Sequence, residues 1–376
     1  MSNVFIIGGA GSIWQKEYIK NIHENDNVFL FIFQELDEGL KNEYDELKIN
    51  LINIYGEYDN SSKLKRAKNM IRYAYKLKKK IDFIEFHIPA ANIQSIFVYL
   101  VMKIIGCDAI TVFWGSDILR LKKNKAKYIN PAIKNSKYIC LGTEDMQEKF
   151  KQIFGNKYND KFKNVKFGSL AIESIKKIEV DMSKEECKEW FNLPINKKVI
   201  AIGYNGEQAQ QHEKILRSLD KLNEIYKSKI HLLIHYSGEF DIDYNEKIIK
   251  LLNASKITYT VLESRYSFDE VAKLRLATDI FIQGQISDGL SSTMRELFYA
   301  KAVIINPTWI GYKELDKVGV NYYKYNDFDE IIDILISILD NRSRISIENN
   351  SEIIDQKFSW RAVKKDWMDM FNEGIS

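Results

Sequence analysis

Two carboxylates eight residues apart, Asp288 and Glu296, bracket the stretch of this chain best suited to chemistry, Asp288-Gly289-Leu290-Ser291-Ser292-Thr293-Met294-Arg295-Glu296. A helix opening within it would point free backbone N–H groups outward, and such an end cradles an anion. A carboxylate on either side accepts hydrogen bonds from hydroxyls. Phosphate and hydroxyls together are the chemistry of a nucleotide-sugar. The same letters also permit a plainer reading. Thr293 and Glu296 have the spacing of a capping box, and Asp288 suits a loop ahead of a helix dipole.

The flanks say what positions these residues. The apolar run 279–282 leads into the polar loop Gln283-Gly284-Gln285, and Leu297-Phe298-Tyr299-Ala300-Lys301 leads into a second apolar run, 302–306. That is strand, loop, helix, strand: a β-α-β unit. The same alternation runs through the chain. Strands are expected at 4–7, 28–33, 82–86, 109–113 and 138–141, with helices at 63–80, 93–105 and 144–154. A second series has strands at 198–202, 230–234 and 258–262, with helices at 207–226, 244–254 and 267–277. A final amphipathic helix opens near Phe358. The pattern predicts two parallel, doubly wound α/β sheets. The polar stretch 167–197 separates the series, giving domains 1–175 and 196–355 and a terminal segment 356–376.

The Asp288-x7-Glu296 spacing resembles the acid-x7-acid motif of retaining glycosyltransferases of the GT-B fold, two Rossmann-like domains facing across a cleft, and of glycosyltransferase family 4 in particular. That family usually has Glu first, where this chain has Asp288. Ala300-Lys301-Ala302-Val303-Ile304 and the loop Gly311-Tyr312-Lys313-Glu314 continue the resemblance, which is strongest over the last hundred or so residues. It implies a metal-independent enzyme of bacterial surface glycan synthesis, without a cofactor. It would move a sugar from a nucleotide-sugar, UDP-linked by precedent, to a saccharide or lipid-linked acceptor. It also implies that Glu296 binds the ribose, that Asp288 contacts the donor sugar, and that Gly289, Leu290, Ser291, Ser292 and Thr293 hold sugar and phosphate. The terminal helix would cross back onto the first domain.

Other segments fit a donor half and an acceptor half. Gly203-Tyr204-Asn205-Gly206 follows the first strand of the second series, with His212 opening the next helix. Glycines there allow close approach to phosphate. Family 4 usually places Arg and Lys in this region, and none occurs between Gly203 and Lys214. Lys214, Arg217 or, after another strand, Arg265 could substitute. The Asn- and His-containing segment is similar instead to inverting, fucosamine-type transferases, so retention and inversion both stay open. In the first half, Gly8-Gly9-Ala10-Gly11-Ser12 follows the first strand. Trp14 stands where a dinucleotide motif needs Gly, and only Glu35 approximates the ribose acid, so a dehydrogenase is disfavoured. His87 and the Gly115-Ser116-Asp117 turn end two further strands, where ligands sit in parallel sheets. Gly9, Gly11, Ser12, His87 and Ser116 are candidate acceptor contacts. An inverting enzyme would use Asp117 or His87 as base. Each also has a local explanation as a turn, cap or ordinary loop residue.

Bulk properties set limits. Of the net charge of +3, residues 1–180 carry +8 and the rest −5. Residues 63–80 hold nine basic residues and no acid on an amphipathic pattern, with a second cluster at 120–127. A basic amphipathic helix suits an anionic membrane surface; no nucleic-acid module accompanies the charge. Three scattered cysteines predict no disulfide framework and a reducing, cytoplasmic location, and the basic clusters suit a peripheral place on the inner leaflet. The N-terminus reads as a strand and not a signal peptide. Asp241-Ile242-Asp243 has the letters of a metal motif but falls between strand and helix, so no metal is expected. A non-catalytic scaffold, an epimerase or a phosphorylase of the same fold are the other classes, the last needing a cofactor lysine site not evident here.

Overall fold

The computed structural model describes residues 1–9, 11–32, 36, 38–53, 63–87, 91–92, 94–236, 241–342 and 345–374, without the side chains of 53, 63–67 and 94. Ala10, Glu35 and the side chains of Lys63, Lys65 and Arg66 thus lie outside the described residues.

The chain forms two compact units, Met1–Gly168 with Trp360–Ser376, and Ser169–Ser359. The first contains β1 (Asn3–Ile7), β2 (Asn27–Ile32), β3 (Asn50–Asn53), β4 (Phe83–His87), β5 (Asp108–Val112), β6 (Tyr138–Cys140) and β7 (Phe162–Lys163), ordered β3-β2-β1-β4-β5-β6-β7. The second contains β8 (Lys198–Ile202), β9 (Ile230–His235), β10 (Thr258–Leu262), β11 (Ile280–Ile282), β12 (Val303–Pro307) and β13 (Tyr323–Tyr325), ordered β10-β9-β8-β11-β12-β13. Every pairing is parallel, for example Val4↔Val28 and Phe281↔Ile304. Both faces of a parallel sheet are covered by helices, so its strands read as unbroken apolar runs. In the first unit Phe5, Ile84 and Phe86 enter one core while Val4, Ile6 and Ile110 enter the other.

Each sheet reverses its strand order once, between β1 and β4 and between β8 and β11. Loops leaving the carboxyl ends of strands at such a switch point splay apart, and ligands bind there in open α/β sheets.

The expected helix over 207–226 is broken in two, His212–Leu219 and Glu224–Lys229. Asn223 interrupts it, because its side chain accepts from the Tyr226 N–H and so starts a new helix. The polar stretch 167–197 contains helices Ile172–Asp181 and Lys184–Trp190, packed on Phe268–Ala277 in the second unit. Ser183 and Ser267 open their helices with complete capping boxes, to Glu186 and Glu270.

The closing helix, Trp360–Asn372, returns to the first unit, as the resemblance implied. Trp367 is fully buried against Tyr18 and donates from its indole N–H to the Lys166 carbonyl at 2.8 Å. The helix Lys63–Leu77 puts Met70, Ala74 and Leu77 into the core and leaves Lys68, Arg72, Lys76 and Lys78 to Lys80 in solvent. Its apolar side is therefore not free to enter a membrane. Among the described residues no helix is long and apolar enough to cross one.

Candidate functional site

The second switch point is built from the loops after β8 and β11. The loop after β11 turns through Asp288 into the helix Ser292–Tyr299. Ser291 is the N-cap, its hydroxyl accepting from Met294 N–H. This corrects the capping-box expectation: Thr293 already lies inside the helix, and its hydroxyl accepts from Arg275 at 3.2 Å. The N–H groups of Ser292 and Thr293 are left at the open end of the helix, where intrahelical acceptors do not exist. Leu290 holds a left-handed φ of 62°, a conformation non-glycine residues adopt at a cost of roughly 1–3 kcal/mol.

The two acids have different surroundings. The half-buried Asp288 accepts from Ser291 N–H and hydroxyl, both at 3.1 Å, and from the Tyr312 hydroxyl at 2.5 Å. Burial raises its pKa against those hydrogen bonds. Glu296 is only 3% exposed. One of its oxygens accepts from Ser292 hydroxyl at 2.6 Å, Ser169 hydroxyl at 3.2 Å and Ala171 N–H at 3.3 Å; the other pairs with Arg275 at 3.1 Å. Glu296 thereby ties the first residues of the unit to two of its helices. Arg295 is buried beside both acids, its pKa lowered to about 10 by burial although Glu296 and Asp288 oppose the shift.

The loop after β8 is stitched to this one. Tyr204 hydroxyl donates to Gln285 at 2.5 Å, Gln211 amide to Gly284 carbonyl at 2.6 Å, and Ile286 N–H to Ala209 carbonyl at 3.0 Å. Gly203 has φ +64°, and a Cβ there would stand 2.6 Å from His212 Nε2. Asn205 accepts from Glu207 N–H and shapes the turn. His212 is fully buried; burial lowers its pKa to about 4, so the ring is neutral near pH 7. Its Nδ1 meets Tyr244 hydroxyl at 3.3 Å, while Nε2 has no hydrogen-bond partner.

His212 is not alone. Gln210 lacks a partner for either amide atom at hydrogen-bond geometry, although it faces the Tyr204 hydroxyl. Gln283 Oε1, Asn306 Oδ1 and His235 Nδ1 are likewise buried and unpartnered. All five side chains follow or end the strands β8, β9, β11 and β12, on one edge of the sheet. Most buried polar atoms in folded proteins are satisfied, and each that is not costs about 1–3 kcal/mol. Beside them a cavity of about 390 Å³ is lined by Gln208, Gln211, Glu213, Lys214, Tyr244 and Ile286. Arg265 lies exposed after β10, with no contact among those described.

At the first switch point Gly9 has φ +74° and abuts Gln15, whose amide is buried and unpartnered. Gly11 leads to Ser12, which caps the helix Ile13–Ile22 through Trp14 N–H. His87 ends β4 with both ring nitrogens engaged: Nδ1 accepts from Trp114 indole at 3.0 Å and Nε2 meets Glu85 at 3.0 Å. Burial lowers its pKa although Glu85 opposes this. Asp117 accepts three backbone N–H groups, from Trp114, Gly115 and Ile118 at 2.8–2.9 Å, and burial lifts its pKa to about 6. Ser116 is exposed at the tip. Asp241 caps the helix Ile242–Ala254 and accepts from Gln208.

Sequence reasoning did not single out Gln210, Gln283, Asn306, His235, Arg275 or Tyr312 as site residues. The usable signal was place in the topology: all but Arg275 and Tyr312 end or follow a strand. Tyr312 sat inside the Gly311 loop, where attention fell on Glu314.

No family model matches the chain, and no curated protein sequence matches it. Solved structures do. HepE from Anabaena, in complex with UDP and glucose, superposes with a TM-score of 0.78 over all of both chains at 14% identity. A glycosyltransferase from Rickettsia africae gives 0.77 over 99% of this chain and 98% of its own at 15% identity. Neisseria meningitidis UDP-GlcNAc 2-epimerase, bound to UDP-GlcNAc, gives 0.62 over all of both chains at 13% identity. Identities this low speak to architecture alone, and that architecture is settled: the chain has the GT-B fold.

Proposed function

We propose that the protein is a glycosyltransferase that takes its sugar from a nucleotide-sugar bound at the carboxyl edge of the second sheet. The observation that carries this reading is the set of five buried side chains gathered there, each with at least one polar atom left without a hydrogen-bond partner. Groups left unsatisfied at a stability cost are accounted for if a ligand completes them. The open helix end at Ser292 and Thr293 supplies N–H donors for a diphosphate, and Arg265 and the buried Arg295 supply positive charge. Asp288, held by Tyr312 and Ser291, is the acid placed to meet the donor sugar. Glu296 fits a positioning role better than a ribose contact, because its carboxylate is already engaged. HepE structures hold UDP and UDP-glucose, which makes UDP-glucose the first donor to try.

In the retaining course implied by the acid-x7-acid resemblance, the acceptor hydroxyl attacks the face that the diphosphate leaves, and the leaving phosphate takes its proton. The protein's contribution is alignment and stabilisation of the leaving charge. In the inverting course Asp117 or His87 is the base; both are engaged in hydrogen bonds here, and the Asp117 pKa of about 6, raised by burial, suits proton transfer close to neutral pH.

The test is a thermal-shift screen with UDP-, GDP-, dTDP- and CMP-sugars, followed by NMR of the product. Stabilisation by one nucleotide class and transfer to an added saccharide are expected. No stabilisation by any of them overturns the reading. The epimerase likeness supplies a second reading: conversion of the UDP-sugar to its epimer without an acceptor would establish it.

A further inference from the structure

The helices Lys63–Leu77, Gln94–Ile105 and Ala126–Asn135 pack side by side on one face of the first sheet. Their inner sides are spent on the core, through Ala74 and Leu77, Val98 and Val101, and Ile129 and Ile133. Their outer sides have an unusual charge. Residues 63–80, 94–105 and 120–137 contain seventeen Lys and Arg and no Asp or Glu. On the first helix and its end, Lys68, Arg72, Lys76 and Lys78 to Lys80 are exposed; Lys103 is exposed on the second. Lys122, Lys123, Lys125, Lys127 and Lys134 are exposed at the third. Among the described residues none of these makes an ion pair.

The opposite face of the same sheet differs. There Lys16 pairs with Glu43 at 2.6 Å, Lys41 with Glu38 at 2.8 Å and Lys364 with Glu24 at 2.5 Å. Surface lysines normally find acids when acids are near. Lys137, at the end of the layer, pairs with Asp108 at 2.6 Å, but the exposed lysines named above have no acid on their own helices, and their field is left largely uncancelled.

Aromatic and apolar groups are interleaved with this charge. Tyr75 is 63% exposed and Leu100, on the middle helix, 38%. Tyr73, Tyr99 and Tyr128 lie under Lys76, Lys103 and Lys127 at 5.2–6.0 Å. Lysine stems and tyrosine rings suit a headgroup layer, with polar tips in water and apolar bodies inward.

We propose that this three-helix layer is the face by which the protein docks on an anionic membrane surface. Attachment is electrostatic and lies across all three helices, with no helix turning its apolar side out. It is independent of the donor site in the second unit.

The experiment is co-sedimentation of the full chain with phosphatidylcholine vesicles, with and without phosphatidylglycerol. Binding is expected only with the anionic lipid and is lost near about 1 M salt, where the Debye length is about 3 Å. Replacing Lys76, Lys78, Lys79 and Lys80 by Gln, or separately Lys122, Lys123, Lys125 and Lys127 by Gln, lowers the partition coefficient by up to about fivefold per charge. Both sets are exposed, so melting temperatures stay near wild type. Absence of binding to the anionic vesicles overturns the proposal, and so does salt-insensitive binding by the wild type. Loss through the first set alone reduces the surface to one helix and overturns the three-helix claim. Tighter binding to duplex DNA or RNA than to vesicles at equal salt assigns the face to nucleic acid instead.

Discussion

The two sheets share one strand order about their switch points, and the two switch points are furnished in opposite ways. Around β1 and β4 the polar groups are mostly satisfied. Glu85, fully buried, accepts from Tyr18 and meets His23 and His87; His23 also meets Asp26, and His87 is held by Trp114. Burial opposes charge on Glu85, yet the two histidines draw its pKa down to about 2. Burial also opposes charge on His23, yet Glu85 and Asp26 lift it to about 9. Gln15 is the exception. Around β8 and β11, by contrast, several buried polar atoms lack partners: both amide atoms of Gln210, and single atoms of His212, Gln283 and Asn306. Topology makes a crevice in both units, but at the second crevice several buried polar atoms are left without partners, against one side chain, Gln15, at the first. A closed network contributes to stability; an open one costs stability and suits recognition.

The largest expected effect sharpens the part of the second site that is closed. Glu296→Gln leaves Arg275 buried without its charge partner, and losing one member of a buried pair costs about 3–5 kcal/mol. Urea denaturation should show this loss; a fall in nucleotide affinity with unchanged stability would instead restore Glu296 to direct ribose contact. Next comes Asp288→Asn, expected to lower kcat about 100-fold, close to 2.7 kcal/mol, while calorimetry finds nucleoside diphosphate affinity little changed. Normal turnover would remove Asp288 from the site.

Paired glycine lesions then test the comparison directly. Gly203→Ala and Gly9→Ala each place a Cβ at 2.6 Å from a buried side-chain atom in a left-handed conformation, so each should cost about 1–2 kcal/mol. Only the first should also weaken nucleotide binding. Equal loss of binding in both would erase the distinction. The smallest effect concerns pH. Because His23 has its pKa raised in the fold, its stabilisation is complete below about pH 6.5 and is lost as pH rises through about 9. A His23→Gln variant should flatten that decline in denaturation curves taken from about pH 6 to about pH 10.

Much of the architecture was legible because parallel strands are apolar on both faces. The runs at 4–7, 198–202 and 280–282 could be read without knowing their neighbours. Strand order and the switch points could not, since pairing is a long-range property. The broken helix at Asn223 was missed because apolar spacing continues on either side of it, and the short edge strand Phe162–Lys163 has too few residues to show a period. In the site, Asp288 and the helix opening were visible from letters alone. The engagement of Glu296 was not: Ser169, Ala171 and Arg275 are distant in sequence, and only folding brings them to one carboxylate. The missing partners of Gln210 and of the Gln283 amide oxygen were invisible for the same reason, since a missing neighbour has no sequence signal.

The return of the helix Trp360–Asn372 has a consequence for synthesis. Trp360 packs on Gly168, Trp367 fills the core beside Tyr18, and Phe371 lies against His23 and Phe83. These residues leave the ribosome after the whole of the second unit, so translation hands over a complete second sheet while the first still lacks part of one wall. Domains fold as units, usually the N-terminal one first; here that order is inverted for the final step. The nascent first unit must wait with Tyr18 and His23 uncovered for the time taken to translate 169–359. At about 5–20 residues per second that is some 10–40 seconds, an interval in which that side of the first core stays open.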